Sequence, residues 1–468
     1  MTKSFSAPHK PANRHKNPKS GHNGGQAPEK NSSTFVRQLA CAVFCDILKN
    51  QITLPEAFQN TSFKASSPSD TSHLLPQITA IVSATFRHLN TLHSLLKLYL
   101  TNGFPKNNRV MGILLTGAAQ ITLLDKPAHA VINDSVKIAK AHPKTAHASG
   151  LINAVLRKVA QNSSLPCHDP LIDIPPMLRE RWISQYGQET TEKFGQIFHC
   201  PPYVDISLKN SDSQSVSEEW AAKLDGFLLP TGSIRLKHKK PVSELPGYTE
   251  GAWWVQDVSS ALPVKMLAPS QGENILDLCA APGGKTAQIA ASGAHVTAVD
   301  ISEKRLERLQ QNMKRLQLEV EVISQDILSL PAKEYDGVVL DAPCSATGTI
   351  RRHPEAAWIK TLKDIQNLAK LQTILLDKTA QLVKPGGHLV YCTCSLEYEE
   401  GEEQINSFLK RHPDFERNRQ RVKNLGLPEL ENDQGDMRAL PFYLNNEENN
   451  ALSGMDGFFA SCLRRKHT

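Results

Sequence analysis

The sequence predicts a doubly wound, mostly parallel α/β sheet in the C-terminal half, preceded by an all-helical body and a small α+β module. Three observations carry this prediction. From Asn274 onward, short β-branched runs alternate with amphipathic helical stretches, the pattern of a parallel sheet with crossover helices. Residues 34–161 keep a helical periodicity with long apolar faces. Between these blocks, helical stretches and short alternating segments are mixed.

Taken in order, residues 1–30 hold Lys3, Lys10, Arg14, Lys16, Lys19 and Lys30 against Glu29 alone, which is +5 of the net +6. This stretch has four prolines and few large apolar side chains, so it cannot bury a core. Residues 1–33 are therefore expected to form a disordered basic tail, either a plain solvated extension or an electrostatic lure for nucleic-acid phosphates. Phe35, Leu39, Val43 and Leu48 then give the first helical stripe. Long apolar stretches follow at Ile78–Leu100 and Val110–Leu124, a further segment opens at Pro127-Ala128, and Leu151–Val159 forms a last amphipathic helix. Residues 34–163 are thus predicted as one helical domain.

The prolines Pro166 and Pro170 mark a linker into a module spanning 164–262. Glu180–Tyr186 and residues 189–198 read as helices, and Val204–Leu208 and Ser233–Leu236 as strands. In residues 263–468, strands are predicted at Ile275–Leu278, His295–Val299, Val320–Ile323, Asp336–Leu340 and His388–Tyr391. Helices are expected from Thr286, after a Ser302 N-cap with Leu306, Leu309, Met313 and Leu316 on one face, and around Leu371–Val383.

Composition narrows the class. At 40% hydrophobic and 21% charged residues, the chain matches ordinary globular proteins. It holds no apolar run approaching the roughly 18–20 residues that span a bilayer, and no N-terminal signal segment, so a cytoplasmic protein without membrane association is expected. Nine irregularly spaced cysteines argue against a disulfide framework and for reduced thiols. Paired C-x-x-C elements are missing, so no zinc or other metal site is expected.

Ligands of open α/β sheets bind beyond the carboxyl ends of the strands. Five consecutive predicted strand ends carry chemistry there: Cys279-Ala280-Ala281-Pro282-Gly283-Gly284-Lys285, Asp300, Asp326, Asp341 to Cys344, and Cys394. Gly283 and Gly284 let backbone approach a ligand closely. The turn has neither the phosphate-loop nor the dinucleotide spacing, while Asp300 lies where an acidic side chain holds ribose hydroxyls. A ribose-bearing cofactor without a polyphosphate cradle points to S-adenosylmethionine. Cys344 and Cys394 are candidate nucleophiles, and spacing alone does not say which reacts.

These motifs, with Val255-Gln256-Asp257, Ser259-Ser260, Gly348–Pro354, Thr393-Cys394-Ser395 and Asp456–Phe459, resemble bacterial RNA cytosine-5 methyltransferases of the Sun/Fmu family. The Leu151–Val159 helix is similar to the closing helix of the NusB-like domain that precedes the catalytic domain in such proteins. The resemblance implies a Rossmann-like methyltransferase domain, S-adenosylmethionine as cofactor, and methylation of one cytosine in 16S rRNA by a monomer. It makes Cys394 the nucleophile, with Cys344 assisting proton removal or release. Asp341 would grip the cytosine and line the cofactor site, with Lys285 either stabilising the thiolate or positioning Asp341. Asp300 would hold the ribose and Asp326 the adenine edge, beside the 279–285 turn. A tRNA substrate is the close alternative; a non-catalytic RNA-binding or assembly factor is the distant one. The partner of the helical domain, RNA or protein, stays open. Three positions depart from the family pattern: Cys392, expected to be structural, Lys209 in Leu208-Lys209-Asn210, and Asp134 where glutamate is usual.

Overall fold

A computed structural model describes residues 32–60, 72–162, 165, 169–211, 213–446, 449 and 452–467. The predicted tail lies outside these residues apart from its last two positions.

Among the described residues, eight α-helices build the N-terminal body: Ser33–Asn50, Leu54–Asn60, Leu75–Arg87, Leu89–Lys97, Asn108–Thr122, Ala128–Lys140, Pro143–Ala146 and Ser149–Gln161. Ser32 caps the first by accepting from the Phe35 amide at 3.3 Å. Val43, Phe44, Ile47, Ile78, Val82, Phe86, Leu114 and Leu156 pack at its centre. The predicted stretch at 78–100 is broken at His88, whose backbone leaves the helical region and separates two helices. Asp134 ties the first helix to the sixth, accepting from Ser33 Oγ at 2.8 Å and Thr34 Oγ1 at 2.6 Å and pairing with Arg37. A shorter carboxylate thus still completes the joint.

The middle segment divides in two. Helices Pro176–Tyr186 and Gln188–Phe198 pack Leu178, Trp182 and Phe194 onto Ile350, Leu396 and Leu440 of the C-terminal half. Strands β1 (Asp205–Leu208), β2 (Gly226–Leu228), β3 (Ile234–Leu236) and β4 (Trp253–Val255) form an antiparallel sheet in the order β2-β3-β1-β4. Asp205 and Arg235 sit opposite each other in it and make a buried two-bond ion pair, at 2.7 and 2.8 Å. Lys209 Nζ donates to the Leu316 carbonyl at 2.6 Å.

The C-terminal half holds β5 (Asn274–Leu278), β6 (His295–Asp300), β7 (Glu321–Ser324), β8 (Tyr335–Asp341), β9 (Val383–Thr393), β10 (Phe415–Arg417), β11 (Met437–Ala439) and β12 (Phe458–Arg465). The sheet order is β10-β12-β9-β8-β5-β6-β7, with β11 also on β12. The five strands foreseen from sequence are parallel, as expected. The last three are antiparallel and extend the sheet beyond β9. The long helix runs Leu362–Ala380, ending before the expected Val383, which opens β9 instead. Helix Val258–Leu267 straddles the expected boundary at 262/263 and packs Val258, Leu262 and Met266 among core residues that include Val390 of β9 and Ala460 of β12.

Buried and half-buried hydrogen bonds seat the helical body on the rest. Arg87 donates to the carbonyls of Phe198 (2.6 Å) and Arg351 (2.7 Å), and Trp358 Nε1 to that of Phe86 (3.0 Å). Asp173 accepts from the Asn90 amide at 2.8 Å, Thr91 Oγ1 at 2.6 Å and His199 Nε2 at 3.0 Å.

Candidate active site

Strands β5 to β9 run parallel, so their carboxyl ends open on one edge of the sheet. At the end of β5 the chain turns sharply. Cys279 takes φ 58°, and Gly283 takes φ 101° before helix Gly284–Ala291 starts. A side chain at Gly283 would also press on Leu309, whose Cγ lies 2.9 Å from the position of a Cβ. Lys285 stands in the first turn of that helix and donates to Asp341 Oδ2, at the end of β8, at 2.8 Å. Its ammonium also sits 5.2 Å from the Phe458 ring. Burial opposes the Lys285 charge, but Asp341 beside it outweighs that and holds its pKa above the usual lysine value.

Four cysteines surround this ion pair, and their environments differ. Burial, with the Asp341 and Asp300 charges, pushes Cys279 up to about 12. Burial and Asp341 likewise raise Cys392, whose Sγ lies 3.6 Å from Asp341 Oδ1 inside the core. Cys344 and Cys394 make a sulfur–sulfur contact of 3.5 Å and are both unoxidised. Either sulfur can donate in that contact. The hydrogen bond to Cys394, burial and the Cys394 and Glu400 charges raise Cys344, so the proton belongs on Cys344. Three of the four groups are thus held as thiols.

The single cleft expected from sequence is in fact two cavities that share Asp341. One, of about 390 Å³, is lined by Cys279, Asp300, Asp326, Asp341, Cys344 and Cys394. Ile301 (71% exposed) and Leu328 (44% exposed) offer it bare apolar side chains beside the two carboxylates. The other, of about 380 Å³, is lined by Ala280 to Lys285, Gln256, Asp257, Arg352 and Asp341. Asp300 accepts from the amides of Ala281 (3.2 Å) and Ser302 (3.0 Å) and pairs with Arg305 at 3.3 Å. Asp326 caps a short turn through the Leu328 amide at 3.0 Å. Sequence reasoning missed Arg305, Ile301 and Leu328, although each lies within five residues of a predicted carboxylate. It also missed Glu400, for which no local signal exists.

Beneath the thiols, the loops after β8 and β9 are bound together. The Gly348 amide donates to the Cys394 carbonyl at 3.0 Å, and the Leu396 amide to Thr347 Oγ1 at 3.0 Å. A Cβ on Gly348 would fall 1.9 Å from the Gly457 carbonyl oxygen, so this crossing requires glycine. Arg352 pairs with the buried Asp456, joining the same loop to the start of β12.

Comparison with known proteins fits this geometry. A family model described as 16S rRNA methyltransferase RsmB/F matches residues 264–464, and the NusB family model matches residues 35–161. The ribosomal RNA small subunit methyltransferase B of Salmonella arizonae is 36% identical over 380 residues, which cover 77% of this chain and 83% of the relative. The chain belongs to the RsmB/F 16S rRNA methyltransferase family. The protein of the same name from Klebsiella pneumoniae is 38% identical over 330 residues, covering 66% of this chain and 75% of that relative. Among solved structures, PH0851 superposes with a TM-score of 0.68 at 23% identity, covering 92% of this chain and 99% of that one. NSun6 from Pyrococcus horikoshii, solved with SFG, gives a TM-score of 0.52 at 19% identity, covering 63% and 99%. These two likenesses are likenesses of fold. As a member of the RsmB/F family, the chain is an S-adenosylmethionine-dependent RNA methyltransferase.

Proposed function

We propose that the protein transfers a methyl group from S-adenosylmethionine to carbon 5 of one cytosine in 16S rRNA, through a transient bond between Cys394 and carbon 6. The observation that carries this reading is the Cys344–Cys394 contact of 3.5 Å at a cavity that also holds Asp300, Asp326 and Asp341.

The cavity suits the cofactor's adenosine half. Two carboxylates at adjacent strand ends match ribose hydroxyls and an adenine amino edge, and Ile301 and Leu328 offer apolar surface to a flat ring. S-adenosylmethionine bound there supplies an electrophilic methyl group. The chain's own residues must then make carbon 5 nucleophilic. Addition of the Cys394 thiolate to carbon 6 does so, dividing one hard step into easier ones. Asp341, fixed by Lys285, grips and polarises the cytosine edge. Cys344, kept as a thiol, lies next to the sulfur that must later depart and assists release. The target base reaches this pocket unpaired or flipped out, through the second cavity beside Arg352.

The helical body serves as an RNA-binding platform in this reading, and the protein acts in the cytoplasm. Among the described residues, no helix is long and apolar enough to cross a membrane. Bisulfite mapping of RNA from cells lacking the protein tests the proposal. One 16S cytosine should lose its methyl mark and regain it on complementation. Loss of a mark from tRNA alone would overturn the substrate, and no change in any RNA would overturn the activity.

A further inference from the structure

Glu400 lies 55 residues from Ser345, is fully buried, and joins the loops that carry the two thiols. Its Oε1 accepts from the Ser345 amide at 2.9 Å and from Gln372 Nε2 at 3.2 Å, and its Oε2 from Ser345 Oγ at 2.5 Å. Ser345 follows Cys344 directly. On the other side, the Glu400 carbonyl accepts from Tyr391 OH at 2.8 Å and Thr393 Oγ1 at 3.1 Å, immediately before Cys394. Ser345 Oγ and Ser395 Oγ close the ring at 3.2 Å. Gln372 also donates to the Pro343 carbonyl at 2.9 Å, fixing the residue before Cys344. Ser345, Gln372, Tyr391 and Thr393 all donate to Glu400. So costly a buried acid is retained only with its partners satisfied, and here the partners are the neighbours of both thiols.

We propose that Glu400 is a positioning residue that clamps the Cys344 loop to the Cys394 loop, so that Cys344 stands where release of the covalent adduct requires it. This rests on the covalent reading above. Release needs the carbon 5 proton to pass to a base, its electron pair to form the C5–C6 double bond, and the C6–S bond to break, returning Cys394 as thiolate. Glu400 takes no proton in that step. It holds the group beside the departing sulfur. Attack by Cys394 needs only one of the two loops, whereas release needs both in register.

The test uses the full chain with S-adenosylmethionine and unmethylated 16S rRNA. Glu400→Gln sets an amide donor against the donors of Ser345 and Gln372; Ser345→Ala keeps the carboxylate but removes the bond at 2.5 Å. Four quantities are read: S-adenosylhomocysteine affinity by calorimetry, the first methyl transfer in a single turnover, the multiple-turnover rate, and covalent protein–RNA adduct on a denaturing gel. For Glu400→Gln we expect affinity within about twofold, first transfer within about threefold, and turnover lowered about tenfold or more with adduct accumulating. Ser345→Ala should shift in the same direction to a smaller extent. Unchanged turnover, or equal loss of first transfer and turnover without adduct, overturns the clamp. Should Glu400→Gln fail to fold, Ser345→Ala decides alone, and absence of adduct there overturns the proposal. Wild-type protein is run beside them on RNA carrying 5-fluorocytosine, whose carbon 5 cannot shed a proton. Absence of adduct in that control overturns the covalent reading itself, a failure distinguishable from that of the clamp.

Discussion

Cys344 and Cys394 touch sulfur to sulfur at 3.5 Å, although 50 residues separate them in the chain. The contact arises because β8 and β9 are parallel neighbours, paired up to Asp341 opposite Cys392, so their following loops start side by side. The hydrogen bond with Cys394, burial and the Glu400 charge raise Cys344 above the usual thiol value, in keeping with the different tasks proposed for the two sulfurs. Cys394→Ala should reduce methyl transfer to background with no covalent adduct. Cys344→Ala should still attack and then stall, leaving protein bound to RNA on a denaturing gel. The opposite pattern would reverse the roles.

Lys285 and Asp341 make the other decisive pair, and they should couple in stability as well as activity. Asp341→Ala strands a buried ammonium, which should cost about 3 kcal/mol by urea unfolding. Lys285→Met added to it should recover part of that loss, since no unpaired charge then remains. Lys285→Met alone should lower methyl transfer about a hundredfold, because the carboxylate proposed to grip the base loses its anchor. A double variant no more stable than Asp341→Ala would show that the pair is not coupled.

Much of this arrangement was legible in the sequence, for reasons that also mark where legibility ends. Strands β5 to β9 were readable because parallel strands are short β-branched runs between helices, the inner four largely buried and β7 at the sheet edge. Their ends then placed Asp300, Asp326, Asp341, Cys344 and Cys394 on one edge. Strands β10 to β12 went unread, since their register depends on pairing with β9 rather than on a local pattern. Val383 looked like the end of a helix because its apolar side chain continues the helical face; its real partner is Tyr335 in β8. Glu400 is the sharpest case. In sequence it is one of several acidic residues in an exposed-looking run, and only the crossing of two loops reveals it as buried.

Asp300 should control cofactor affinity more than chemistry. Its carboxylate is nearly inaccessible, so it shapes the cavity through the Ala281 and Ser302 amides and Arg305 as much as by direct contact. Asp300→Asn keeps the shape and removes the charge. S-adenosylmethionine binding measured by calorimetry should weaken about tenfold, equivalent to about 1.4 kcal/mol, with turnover at saturating cofactor much less affected. An equal fall in turnover with unchanged affinity would move Asp300 from cofactor binding to catalysis.

Asp277, at the centre of β5, should make stability depend on pH in an unusual direction. Burial pushes its carboxyl up to about 7, against the Thr286 hydrogen bond and the Lys285 charge. Its Oδ2 accepts from Thr286 at 2.6 Å, while Oδ1 is buried without a partner among the described residues. In an unfolded chain an aspartate ionises near about 3.9. Between these values the folded protein retains a proton that the unfolded chain has released, so raising the pH across that window favours unfolding. Below about 4 both states are protonated and the penalty is absent; above about 7 both are ionised and it is complete. Asn at this position does not titrate and can still accept from Thr286. The stability of Asp277→Asn relative to wild type should therefore rise from pH 4 to pH 7 and then level off, by at most about 4 kcal/mol for a shift of roughly three units. Urea unfolding of both proteins at pH 4.5, 6 and 8 measures it, and a difference that stays flat would mean that Asp277 is ionised throughout.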